Sequence, residues 1–189
     1  MRTVSWILAG FLALQFAFAS ESDGPQNIRE LLRTEENYLT VQSPNSVEVI
    51  ALTLVSDVNQ YRKFDTQLFT AAEHAQLRGA PLAPPAELSS ALSKKLVTNE
   101  TYYWEGVKGC LPFFHLRATF TRGENAIIAD FCFGCDLVYF RNGAKTLGSG
   151  DFHPSRAELL SLFRKILPKN PILEDQAALN ETLKAKSSH

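Results

Sequence analysis

This chain has little cysteine and less methionine: three and one among 189 residues. It also lacks an excess of either charge, with 19 lysines and arginines against 20 aspartates and glutamates. Without a basic surplus there is no electrostatic footprint of a nucleic-acid binder, so nucleic acid is not an expected partner. No block of one sign stands out, which argues against strong steering of a charged partner. Beyond the N-terminal segment no apolar run approaches the roughly 20 residues that cross a bilayer, so the mature chain is expected to have no transmembrane segment. Leu147-Gly148-Ser149-Gly150 lacks the glycine spacing of a phosphate cradle and reads as a flexible loop. Position 136 is Asp, where covalent haem attachment would need a histidine after Cys-x-x-Cys. No cofactor is expected.

What is present begins with an export signal. Arg2 gives a positive start, and Trp6 to Phe18 is an apolar run broken only by Gln15. Small residues at Ala17 and Ala19 suit a signal peptidase, with cleavage after Ala19 first and after Ser20 second. The run is short for an uncleaved anchor. The expected organisation is a signal peptide over 1–19, a flexible lead-in over 20–27, one domain over 28–173 and a polar tail over 174–189. A mature chain of that length can bury one sizeable core. Export, periplasmic or extracellular, predicts that neighbouring thiols oxidise.

Periodicity places the elements. Ile28, Leu31, Leu32, Tyr38 and Leu39 follow helical spacing, capped by Asn27 or Asp23, for a helix near 28–38. Residues 47–55 are apolar on both alternating faces, as in a strand covered on both sides. Leu68 to Ala71 is a weaker strand candidate. Gly79 to Pro85 reads as a proline-rich connector leading into a helix near 85–97. Tyr102-Tyr103-Trp104 reads as core or sheet edge first, and as a stacking surface second. Residues 116–121, 126–133 and 136–141 predict an antiparallel meander turning at Gly123 and at Asn142-Gly143. A helix near 155–167 has Ser155 and Glu158 at capping-box spacing. Lys184 to His189 is expected to be disordered. The sum is an α+β fold: an antiparallel sheet of about four to five strands, with a C-terminal meander and three helices packed on it.

The remaining signal is Cys110-Leu111-Pro112, two strands, then Cys132-Phe133-Gly134-Cys135-Asp136, then a helix ending at Pro168. Over residues 80–170 this resembles a group of small exported bacterial proteins with a Cys-x-Pro and Cys-Phe-x-Cys pattern. The resemblance implies that the cysteines form a unit, and implies no reaction, substrate or cofactor. It also sets aside the sequons at Asn99 and Asn180, which matter only in a eukaryotic source.

The unit has three readings. Pairing the hairpin across Gly123-Glu124 sets 112 opposite 135 and 115 opposite 132, so Cys110 can bridge to Cys135 or Cys132. Cys132-x-x-Cys135 has dithiol oxidoreductase spacing, but Asp136 follows it and would raise a thiol's pKa. Cys110, Cys132 and Cys135 with His115, or with His153, would complete a tetrahedral metal site, although a second Cys-x-x-Cys is missing. A cysteine nucleophile would also want a base from His74, His115 or His153. The set Asp151, His153 and Ser155 is too close in sequence for a triad and fits capping better. The expectation is a non-catalytic binding or structural module stabilised by a Cys110 disulfide. The alternative is thiol redox or metal chemistry at the cluster.

Overall fold

The computed structural model describes residues 24–53, 76–106, 108–110 and 112–187. The proposed export signal, the strand candidate at 68–71 and His74 lie outside them. Among the described residues six antiparallel strands form one sheet: β1 (Ser46–Thr53), β2 (Gln76–Leu82), β3 (Leu116–Arg122), β4 (Asn125–Cys132), β5 (Leu137–Asn142) and β6 (Lys145–Asp151), in the order β2-β1-β3-β4-β5-β6. Five α-helices are present among the described residues: α1 (Ile28–Leu32), α2 (Glu35–Gln42), α3 (Ala86–Leu96), α4 (Arg156–Ile166) and α5 (Pro171–Ser187). The α+β class holds, with more strands and helices than the sequence predicts.

The meander pairs as its alternation dictates. Leu116 faces Phe131 and Arg122 faces Asn125, around Gly123 in the left-handed region at φ 57°. β1 lies between β2 and β3 and is buried on both sides. Its Val47, Val49 and Ala51 join the main core, while Ile50 and Leu52 join a smaller cluster on the other face. The main core lies between the sheet and the helices. Phe131 of β4 and Phe133 just after it meet Phe152 and Phe163 edge-on or tilted, with ring centroids 4.8 to 6.1 Å apart. Such pairs add directional packing to a large burial of area.

Four expectations need correction. The single helix at 28–38 is two helices, because Arg33 adopts φ 69° and Thr34 starts α2 by accepting the N–H of Asn37. The connector begins as strand β2; Pro81 is tolerated there because β2 is the outermost strand, where a missing donor breaks no ladder. The loop at 147–150 is the middle of strand β6. Its glycines leave room for neighbours: a Cβ on Gly150 would lie 2.6 Å from the Tyr102 ring, and one on Gly148 would lie 3.2 Å from Leu31. Finally, α5 runs through Ser187, across the start of the segment expected to be disordered, with Leu173 fully buried at its base.

Candidate functional site

The β4–β5 turn carries the cysteines. The hairpin register continues past Leu116–Phe131, so His115 comes opposite Cys132 and the chain before it reaches the turn. Cys110 is bonded to Cys135, with Cα atoms 6.4 Å apart and a sequence separation of 25. Of the two predicted partners for Cys110, this is the further along the chain. Closing a loop of that length contributes roughly 3.5 kcal/mol in the chain-entropy account. Cys132 is the free thiol, fully buried. Its sulfur accepts the N–H of Phe113 at 3.3 Å. Burial pushes this thiol above its ordinary pKa, against the pull of backbone N–H groups from Phe113, Cys135 and Gly134; the Asp136 charge adds to the rise.

His115 is spoken for. Its Nδ1 accepts the N–H of Phe133 at 3.1 Å, and the ring is buried. Burial, and then the Arg156 charge, lower its pKa to about 4, so the imidazole is neutral at neutral pH. Among the described residues no group of three His, Cys, Asp or Glu side chains is arranged to hold a metal ion. In the bridged form two of the proposed thiolate ligands are bonded to each other.

A polar knot fastens the turn to α4. Asp136 sits at φ 58°, a region Asp enters more readily than most residues. Its carboxylate pairs with Arg156 and with His153 Nδ1 at 2.9 Å. Arg156 also donates to the carbonyl of Phe133 and, at 2.7 Å, to Gln176 of α5. Lys108 donates to the Cys135 carbonyl at 2.9 Å and to Asp151 at 2.8 Å. Asp151 accepts the backbone N–H of His153 from one residue before the cap position, which Phe152 occupies without a side-chain bond. The expected capping is absent at Ser155 too, whose side chain makes no cap bond; α4 continues from a 3-10 turn over His153–Ser155. The His153 imidazole faces Asp136, so Asp151, His153 and Ser155 form no relay. Sequence reasoning missed Lys108 and Arg156, because nothing local marks either as a partner of the turn.

Beside the bridge lies a cleft of about 350 Å³, lined by Tyr103, Trp104, Lys108, Cys110, Tyr139 and Asp151 among others. The aromatic triplet divides its labour. Tyr102 is buried and donates its hydroxyl to the Leu96 carbonyl at 2.7 Å. Tyr103 pairs with the outer edge of β6 through its N–H to Asp151, leaving its side chain on the surface at 51% exposure. Trp104 is oriented by its indole N–H to the Asn99 carbonyl. Asn99 thereby supports the cleft, and its side chain also accepts the N–H of Ile28 at 3.1 Å.

The face of the sheet away from the main core holds an ion triad. Asp130 is fully buried, gripped by Arg117 through Nε at 2.7 Å and Nη2 at 3.2 Å, and by Arg141 at 3.2 Å. Burial pushes its carboxyl up, and the two guanidiniums pull it down. Strand alternation sets Asp130 on the same face as Cys132, two residues away, and names neither of its partners. The chain matches no family model, no curated protein and no solved structure.

Proposed function

We propose that this is an exported, non-catalytic binding module whose ligand sits in the aromatic cleft and whose Cys110–Cys135 bridge keeps that cleft in shape. One observation carries the reading: an exposed tyrosine ring and a hydrogen-bonded indole face a concavity of about 350 Å³, the size range of small-molecule sites. Rigid aromatic surface beside a few polar groups binds with little loss of conformational entropy. The bridge supports export, since disulfides persist in oxidising compartments. No described helix is long and apolar enough to cross a membrane.

The test is ligand-observed saturation-transfer NMR on the full chain with neutral sugars, aromatic acids and short proline-rich peptides. At least one class is expected to bind, with about tenfold weaker affinity in Tyr103→Ala. Binding that ignores Tyr103→Ala, or no binding by any class, would overturn the reading.

A further inference from the structure

Three sulfurs share one turn. Cys110 and Cys135 are bonded, and the buried Cys132 thiol packs in the same small cluster as Cys135. The Cys132 sulfur accepts the N–H of Phe113, and the N–H groups of Gly134 and Cys135 reach it as well. A neutral thiol is a weak acceptor and has no need of three donors. Three donors do suit a sulfur that carries negative charge, because N–H groups stabilise an anion more strongly than a neutral acceptor. They also fix its place. Phe113 lies close in sequence to Cys110, and the Cys135 amide belongs to the bridge itself. The free thiol thus packs beside Cys135 and bonds to the backbone three residues past Cys110.

We propose that Cys132 is an internal nucleophile that exchanges with the Cys110–Cys135 bridge. The molecule thereby interconverts between a form with a buried Cys132 thiol and a form with a Cys132–Cys135 bridge and a free Cys110. Cys132 gives its proton to water or hydroxide. The thiolate forms a bond to Cys135 Sγ as the Cys110–Cys135 bond breaks. The electron pair leaves on Cys110 Sγ, which takes a proton from solvent. One S–S bond replaces another, so neither oxidant nor reductant is consumed. Cys135 is the sulfur attacked because it packs in the same small cluster as the nucleophile and because Cys-x-x-Cys spacing closes readily into a bridge.

The surroundings make the exchange latent. Burial and the Asp136 carboxylate oppose ionisation of Cys132, while His115 and Tyr139 stand neutral beside it. The product differs from the starting form in one functional respect. Cys110 is half-buried and lines the aromatic cleft, so exchange delivers a reactive thiol to the cleft wall. A cleft ligand or partner that carries a thiol or disulfide could then be held covalently.

The experiment is native alkylation of the oxidised full chain with iodoacetamide, an acid quench and peptide mapping without reduction. Label is expected on Cys110, paired with a Cys132–Cys135 bridge, and in excess over label on Cys132 by about tenfold. The rate of labelling should rise by about tenfold per pH unit from about pH 6 to about pH 8, following the thiolate fraction. Cys132→Ser should remove the Cys110 label altogether. Label on Cys132 with the original bridge intact would overturn the proposal, as would label on Cys135 with a Cys110–Cys132 bridge. Absence of label until denaturant is added would do the same. The wild-type mapping decides the matter even if Cys132→Ser fails to fold.

Discussion

The two faces of the sheet differ in size and in chemistry: the main core lies on one, and a smaller, more polar cluster on the other. Toward the main helices the buried residues are apolar without exception along β4 and β5: Ile127, Ala129, Phe131, Val138 and Phe140. On the other face Ile50, Leu52 and Phe114 share the space with Asp130, Arg141 and the Cys132 thiol. Packing on the first face depends on volume and on the angles at which its phenyl rings meet. On the second it depends on each polar group finding its partner.

Two neighbouring substitutions test that contrast most severely. Phe131→Ala empties a fully buried ring site and is expected to cost about 4 kcal/mol, whatever the salt. Asp130→Ala leaves two guanidiniums without their shared carboxylate and is expected to cost about 3–5 kcal/mol. Guanidinium and urea midpoints measure both. If chloride from the guanidinium salt stands in for the carboxylate, only the Asp130 variant will look better in guanidinium than in urea. A neutral Asp130→Ala would mean that the ionic face contributes nothing.

The next effect is on pH. His115 has its folded pKa lowered from 6.5 to about 4, so the unfolded chain binds more protons between those values. The favourable contribution of the neutral ring is complete above about pH 6.5 and is lost as pH falls toward about 4. The loss is on the order of 3 kcal/mol. His115→Asn keeps an acceptor for the Phe133 N–H, and its urea midpoint should fall less steeply over that range. An unchanged slope would place the acid sensitivity elsewhere.

Smaller effects follow at the sheet margin. Gly150→Ala drives a methyl group against the Tyr102 ring and should cost about 1–3 kcal/mol, read as a lower thermal midpoint. Tyr103→Ala removes an exposed ring and should stay within about 0.5 kcal/mol of the parent. Equal losses at these two positions would erase the distinction between packed and presented aromatic residues.

The meander was legible because its signals are local. Gly123 and Gly143 sit at φ 57° and 56°, where glycine is at ease, and alternation between them set the register that brought position 112 near 135. β6 was illegible for the opposite reason. Gly148 and Gly150 mimic a loop, and the cause of their smallness lies in Leu31 and Tyr102, remote in sequence. The split between α1 and α2 had a local signal in Thr34-Glu35-Glu36-Asn37, a helix start hidden inside a continuous apolar stripe. At the site, sequence gave the three cysteines and both open pairings for Cys110. It gave neither Lys108 nor Arg156, whose roles depend on how the turn meets α4.

The Tyr103 N–H to Asp151 and the Arg33 Nε–H to the Leu147 carbonyl do more than position a ring. Together they occupy outward-facing carbonyls of β6, the last strand on that side of the sheet. An unoccupied row of such groups is a template on which another chain can add as a further strand. Here the template is blunted by the protein's own backbone and an arginine, and at the opposite margin Pro81 withholds a donor. Among the described residues both margins of the sheet thus carry a feature that disfavours strand addition.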